Sequence, residues 1–470
     1  MTRETPLRFI IVGASIGGLA SAIALRDAGH EVLLLEQESQ LGGGDSVPSG
    51  GVRLPPNGCK ILFDWGLEAE IRSNAVVGSG FTVYKYDGGG KRDYLGTNRW
   101  DPELLAEARG LFLQMRHKDL LRILYDTAVK RPSTSKVSVE FGVTVVDADF
   151  DACSVTLASG KVYAGDALIG ADGAFGYLRR RMNQEQGSPG EDQLRGLAVY
   201  SAIVPKEVAM QDDQLQELYQ DPQRRMVTFW MGPNRGAQAF LAGKDEDVVF
   251  WVYTPDGAQD GTWTQSAEKK ITDVLGTCDP VIRRLAELAG PATCVQIKNY
   301  LELESWVSRS GKVLLLGEAA HPFPIISLHT YSVALEDGGF LGKMFSHTRN
   351  PDRVEEFLSA FQEHRKPRCA HINLSEKSYV EAMALPDGEA QEGRDAAMRA
   401  NEAAGRNVMD SGDHSEEELS AMWDDMRMVF GYDPADDAEE WWLKWGRLRD
   451  APTALDAKAM RYSYIQDLRA

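Results

Sequence analysis

The stretch FIIVGASIGGLASAIALRDAGHEVLLLEQ, residues 9–37, constrains the fold of this chain more than any other. An apolar run at 9–12 meets Gly13, and a segment with helical spacing then leads to a second apolar run that ends at Glu36. The pattern predicts strand, helix, strand in one βαβ unit. Gly13 begins a tight turn, and Gly18 sits where the helix must pack closely on the first strand. Such a turn aims the helix N-terminus, with its backbone N–H donors, at a pyrophosphate. Glu36 lies at the end of the second strand, where an acid suits the two hydroxyls of an adenosine ribose and repels a 2′-phosphate. Ser15 stands where a middle glycine is expected. It adds a Cβ at the closest backbone approach to phosphate, and its hydroxyl is in position to donate to a phosphate oxygen. The expected result is looser binding of a dinucleotide rather than its loss.

Beyond that unit the chain changes character. At 470 residues it is too long for one compact core, so two or three subdomains are expected. Residues 136–173 read as several short strands ending in a turn, and 195–255 as a run of strands forming an antiparallel sheet of their own. Past 330 the sequence is mostly helical and increasingly acidic. The GGGK at 88–91 reads as a hairpin tip. A net charge of −19 argues against nucleic acid or an anionic membrane as the main partner. Five scattered cysteines with no CxxC spacing argue against a metal site or a disulfide framework, and for a reducing compartment. No leader pattern opens the chain, and no apolar run approaches the ~20 residues needed to span a bilayer. A cytoplasmic, soluble protein is expected.

The opening fingerprint does not choose between NAD and FAD, but two later stretches bear on it. DALIGADGAFGYLRRRM, 166–182, sets Asp172-Gly173 after a strand. GKVLLLGEAAHPFPIISLHTYSVALEDGGFLGKMF, 311–345, sets Gly317-Glu318 at another strand end, followed by His321-Pro322 and a helix carrying Glu336-Asp337. With these three motifs in order, the sequence resembles the single-component (group A) FAD-dependent aromatic hydroxylases of the salicylate hydroxylase-like type. The resemblance extends over nearly the whole chain, through LPPNG at 54–58 and EHRKPRC at 363–369. It implies an α/β fold: a discontinuous Rossmann-type FAD-binding domain (1–80, 111–185, 301–345), an inserted antiparallel-sheet substrate domain (81–110, 186–300) and a helical C-terminal region (346–470).

Carried over by position, the resemblance implies that Gly13, Ser15 and Gly18 take the FAD pyrophosphate and Glu36 the adenosine ribose. Gly50, Gly51 and Arg53 would lie along the ribityl chain and flavin. The family's His-Arg at the next helix stands here as Arg116-His117, exchanged, and Arg116 is preferred as the phosphate contact because a guanidinium is charged at any working pH. Asp172 would touch FAD and the path of the nicotinamide. Gly317 and Glu318, the latter an aspartate in the family, would meet the ribityl hydroxyls. The family's Gly-Gln-Gly loop is replaced by Ile325, Ile326, Ser327, Leu328, His329, Thr330, Tyr331 and Ser332, so the pocket beside the flavin must be shaped differently. His329 and Tyr331 become candidates near the flavin. His321 reads as a structural, flavin-flanking residue. On the substrate side Tyr200, Trp230, Trp251 and Tyr253 are placed on strands that would face the flavin, and Ser201 stands where many fungal relatives carry an arginine. Trp441, Trp442 and Trp445 read as packing on one helical face.

The activity implied is that of a monooxygenase. NADH or NADPH, docking transiently, reduces FAD, and O2 gives a flavin C4a-hydroperoxide that hydroxylates a phenolic or related aromatic substrate, with or without decarboxylation. Two alternatives accompany it: epoxidation of a natural product by the same cofactor, and a flavin-binding protein without oxygenase activity. A monomer or homodimer is expected.

Overall fold

The computed structural model describes residues 5–44, 50–187, 192–255, 263, 265–324, 327–410 and 415–449. A five-stranded parallel sheet runs in the order Val313–Leu315, Ala167–Gly170, Arg8–Val12, Glu31–Leu35 and Val137–Glu140. Its strands are apolar on both faces because both are covered. The Ile16–Asp27 helix packs against the Thr330–Phe345 and His117–Lys130 helices. Because neighbouring strands are parallel, the ends of the first three listed, at Leu315, Gly170 and Val12, lie side by side, and the three motif turns meet there.

A seven-stranded sheet forms the second layer, in the order Thr293–Asn299, Gln193–Val204, Asp247–Pro255, Arg235–Ala242, Met226–Gly232, Gly80–Lys85 and Tyr94–Arg99. All its pairings are antiparallel except that of Met226–Gly232 with Gly80–Lys85. Residues 88–91 form the loop of the Gly80–Lys85 and Tyr94–Arg99 hairpin. Successive side chains on these strands alternate between two different cores. Tyr200, Trp230, Phe250 and Val252 pack with the helices outside the sheet, including Leu215, Ile282 and Leu285. Phe229, Phe240, Val249 and Trp251 lie on the opposite face. There the small antiparallel sheet of Gly51–Leu54, Leu113–Arg116 and Val76–Val77 crosses toward the parallel layer. The approach is close: a Cβ on Gly51 would meet Phe240 at 2.7 Å and Val249 at 2.9 Å.

The 30-residue helix Val354–Met383 runs from the core of the parallel layer, where Phe357 and Phe361 are buried, to that of the large sheet, where Met383 is buried. Its buried residues include Phe357, Phe361, Arg365, Arg368, Ile372 and Glu376, a stripe at helical spacing along one face. The helices Glu389–Ala403, Glu416–Phe430 and Pro434–Lys444 follow. Trp441 is buried against Phe357, and the Trp442 ring stacks on His347. Trp445, by contrast, is 65% exposed, so the expected packing face stops short of it. Among the described residues, no helix is long and apolar enough to cross a membrane.

Candidate active site

The opening turn has the geometry of an anion cradle. Gly13 adopts φ +104°, and a Cβ there would lie 2.4 Å from the Ala171 carbonyl oxygen. Only glycine meets both demands. A Cβ on Gly18 would lie 2.0 Å from the Gly13 carbonyl oxygen, which is the close strand–helix packing that the fingerprint implies. The first N–H groups of the Ile16–Asp27 helix have no partner within the helix and point along its axis. Glu36 accepts from Ala14 N–H at 2.7 Å through one oxygen and from Glu38 N–H at 2.8 Å through the other. A carboxylate has about four acceptor sites, so it keeps capacity for sugar hydroxyls.

Ser15 departs from its expected use. Its Oγ donates to the Ala171 carbonyl at 3.0 Å and accepts from Gly18 N–H at 3.3 Å. The hydroxyl has one proton, and that proton is directed into the protein. The serine is an N-cap that ties its helix to the neighbouring strand end.

The second motif is built on the same plan. Asp172 Oδ2 accepts from Leu178 N–H at 2.8 Å, at the start of the Tyr177–Gln186 helix. Its Oδ1 is buried without a partner among the described residues, and burial pushes the carboxyl up to about 6. From that helix Arg179 donates to the Ala319 carbonyl at 2.8 Å and to the Leu301 carbonyl. The second motif is thus tethered to the third.

The third motif is held by a buried ion network. Asp337 accepts from Gly317 N–H at 2.9 Å, from His321 Nε2 at 2.6 Å and from Arg365 Nε at 2.9 Å. Beside it Glu336 accepts from Asn57 at 2.6 Å and pairs with Arg365 at 2.8 Å and Arg368 at 2.9 Å. Burial alone would lower the His321 pKa, but Cys369 and the Asp337 carboxylate outweigh it and raise it to about 10. His321 is therefore an imidazolium that anchors the turn, in keeping with a structural role. His321, Asp337 and Cys369 lie together, and the Arg365 guanidinium fills the cationic role in that group. Glu318 is exposed at the turn, close enough to His321 and Tyr331 to act on both by charge. Tyr331 and His117 stand near it, their rings 5.7 Å apart.

These residues fit a flavin dinucleotide. The glycine cradle, the Glu36 acceptor, the orphaned Asp172 oxygen and the exposed Glu318 supply donors for phosphate and acceptors for hydroxyls, as such a group requires.

The exchange at 116–117 has a structural outcome. Arg116, the last residue of its strand, is ion-paired to Asp247, which opens a strand of the large sheet, and lies 3.6 Å from Asp245 in the turn before it. Its charge is engaged away from the cradle. His117, the first residue of the following helix, takes the position beside Tyr331, with its N–H donating to the Gly50 carbonyl at 2.9 Å. Burial lowers its pKa to about 4, so it is neutral near pH 7. The cation expected here from sequence is therefore directed elsewhere, because the strand end faces the sheet and the helix start faces the cleft.

A cavity of about 290 Å³ opens on the same side of the large sheet. Phe81, Trp100, Phe112, Phe229 and Phe430 wall it, and the Trp100 and Phe112 rings stack at 3.8 Å. Its polar lining is Arg53, Gln114, His329, Ser375, Glu376, Tyr379 and, at the rim, Asp425. The Arg53 guanidinium sits 5.5 Å from the centre of the Phe229 ring. Arg53 belongs to the strand that begins at Gly51, so one strand borders both the cleft and the cavity.

Of the residues expected around the flavin and the substrate, Arg53 and His329 line the cavity. His329 caps the Thr330–Phe345 helix, with Nδ1 3.3 Å from Ser332 Oγ. Burial, then the nearby Arg368, lowers its pKa to about 3, so it is a weak base. Tyr200 and Trp230 face the helices on the far side of the sheet, with Tyr84 stacked on Trp230, and do not reach the cavity. Tyr253 shares the cavity-side face with Trp251 but packs with Val199 and Val295 beyond it. Strand parity separates them: Trp230 neighbours Phe229, and Tyr200 neighbours Ser201, so one residue of each pair must face away. In the altered loop, Ile325 and Ile326 lie outside the described residues. Thr330 opens a helix where the family has glycine.

Glu376 and Tyr379 are absent from the sequence-based site. Glu376 is buried and accepts from Leu328 N–H at 2.9 Å and His329 N–H at 3.1 Å. Its signal was a carboxylate in phase with the buried stripe of an otherwise amphipathic helix, four residues after Ile372.

The FAD binding domain family matches residues 7–373. The chain is 26% identical over 433 residues to the FAD-dependent monooxygenase OpS4 of Beauveria bassiana, covering 91% of this chain and 95% of that one. It is 27% identical over 404 residues to hispidin-3-hydroxylase of Neonothopanus nambi (81% and 90%). It is 25% identical over 405 residues to 3-amino-4-hydroxybenzoate 2-monooxygenase of Streptomyces cremeus (85% and 93%). Among solved structures, CtdE in complex with FAD and a substrate superposes with a TM-score of 0.72 at 16% identity, covering 94% of this chain and all of that one. A salicylate hydroxylase substrate complex gives 0.67 at 16% identity, covering 93% and 98%. A family match over most of the chain, on a cradle shaped for a flavin dinucleotide, assigns this protein to the FAD binding domain family and, within it, to the group A flavoprotein monooxygenases.

Proposed function

We propose that this protein uses NADH or NADPH and O2 to hydroxylate a phenolic aromatic compound in the cavity bounded by Arg53, Phe112 and Phe229. The observation that carries this reading is the placement of an aromatic-walled cavity on the strand that also borders the dinucleotide cleft. Three relatives support it, being named as hydroxylases or monooxygenases of hispidin, 3-amino-4-hydroxybenzoate and 3-hydroxybenzoate.

In this reading residues 1–80, 111–185 and 301–345 bind FAD, 81–110 and 186–300 form the substrate layer, and 346–470 form the helical region. Bound FAD supplies the redox chemistry, accepting a hydride from the nicotinamide and activating O2 for transfer of one oxygen atom. The protein supplies position. Gly13, Ser15 and Gly18 shape the turn that receives the pyrophosphate, and Glu36 takes the adenosine ribose. Gly317 and Glu318 meet the ribityl chain, with Gly50, Gly51, Arg53, His117 and Tyr331 around the flavin and Asp172 near the hydride path. The aromatic walls exclude water and hold the ring of the substrate. A cytoplasmic location accords with five buried, unpaired cysteines.

Incubation with NADH or NADPH and a panel of phenols under 18O2, followed by mass spectrometry, tests this. One 18O atom per product is expected, with one nicotinamide oxidised per turnover. Nicotinamide oxidation that yields only peroxide across the panel would refute the oxygenase reading.

A further inference from the structure

We propose that Glu376, acting with Arg53, makes the cavity selective for a neutral phenol over an aromatic carboxylate; the proposal rests on the cavity being the substrate site. The argument starts from charge. The cavity lining carries one guanidinium, Arg53, and two carboxylates, Glu376 inside and Asp425 at the rim. The Glu376 carboxylate accepts from Leu328 N–H, His329 N–H and the Ser327 hydroxyl, and the Arg53 guanidinium lies close enough to act on it by charge. Burial raises the Glu376 carboxyl, while Ser327, Arg53 and the two backbone N–H groups draw it back toward the ionised form, the form in which these donors are satisfied. His329 brings no compensating charge, since it is neutral at working pH. Asp425 pairs with His371 at 3.0 Å on the solvent side.

Arg53 therefore already faces an anion in the cavity. A benzoate-type substrate would add a second carboxylate to an apolar enclosure, beside Glu376 and without a second cation. A phenolic hydroxyl has no such conflict: it can donate to Glu376 and accept from the Tyr379 hydroxyl or from Arg53. The remaining lining, including Val227, Met383 and Val380, accepts an apolar ring substituent. Position 376 thus sets the charge class of the substrate, by repulsion of the wrong one as much as by attraction of the right one.

The test is binding to the FAD-loaded protein, read from perturbation of the flavin absorbance, with two probes of the same shape. These are 3-hydroxybenzamide, which is neutral, and 3-hydroxybenzoate, which is charged. The parent protein should bind the amide at least about tenfold more tightly. Glu376→Gln keeps a carbonyl acceptor for Leu328 and His329 while removing the charge, and it should bring the two constants within about threefold. Glu376→Asp keeps the charge and should keep the preference. Equal or tighter binding of the acid by the parent overturns the proposal. So does an unchanged ratio in Glu376→Gln, loss of flavin from both variants, or failure of the neutral amide to perturb the spectrum at millimolar concentration. Because the readout needs no turnover, the outcome here is separate from that of the 18O2 panel, and selective binding stands even where that panel yields only peroxide.

Discussion

The dinucleotide cleft and the cavity beside it are made in different ways. The cleft is mostly backbone: a glycine at positive φ, helix N-termini, and carboxylates held by backbone N–H groups. The cavity is mostly side chain, drawn from segments as far apart as residues 53, 112, 229, 376 and 430. A site made of backbone has few permitted sequences, whereas a site made of side chains can be re-lined while the fold stands. The difference teaches where each region should fail under substitution.

The most damaging single change should be Gly13→Val in the cleft. Its Cβ would clash with Ala171 and its φ is unfavourable for a branched residue. The purified variant should retain no flavin, read as the loss of absorbance near the flavin band. A yellow variant would show that the cradle is more plastic than its geometry implies.

Asp337→Asn, which strikes the network beneath the third motif, should cost about 3–5 kcal/mol of stability by leaving Arg365 and His321 without their shared carboxylate. Denaturant unfolding measures it. The same pair carries a pH signature. The His321 pKa is raised in the fold from 6.5 to about 10. Its contribution is fully present below the ordinary imidazole value and is lost as pH rises through about 10. The parent should therefore lose stability across that alkaline range, and the variant should lose much less of it.

Phe112→Ala tests the other region. It removes a cavity wall stacked on Trp100 and should weaken aromatic ligand binding by roughly tenfold, about 1–2 kcal/mol, with flavin content intact. Flavin loss in this variant would mean that the two regions are less separable than their construction suggests.

The smallest effect should come from Ser15→Ala. Losing the cap should cost about 1 kcal/mol of stability, while FAD affinity stays within about threefold, because the hydroxyl proton is directed to Ala171. Titration of the apo-protein by flavin fluorescence checks this. A tenfold loss of affinity would mean that the hydroxyl turns to the phosphate on binding.

The same contrast explains what could be read from sequence. The strand, Gly13, Gly18 and Glu36 fall within thirty residues, and their spacing carries their geometry. The later motifs could be recognised because each sits at a strand end. The sheet aromatics could not be sorted. The strand GLAVYSAIV is apolar on both faces, since each face meets a different core, so alternation gave no sign of which residues look inward. Arg116 shows the same limit: its charge suggests phosphate, while its ion-pair partner, Asp247, lies 131 residues away in the sequence. Glu376 looked like any surface acid until the helix around it was seen to be buried on that side.

The Val354–Met383 helix couples the two regions as a rigid ruler. Arg365 and Arg368 grip the turn beneath the third motif, and Glu376 projects into the cavity eight residues, about 12 Å, further on. One residue inserted between Cys369 and Ile372 would rotate everything after it by about 100°. The arginines would keep their hold, while Glu376 and Tyr379 would swing out of the cavity. Flavin retention and ligand choice are therefore heritable separately along a single helix, and a lineage can change its substrate by phase shifts in the distal turns without unseating its cofactor.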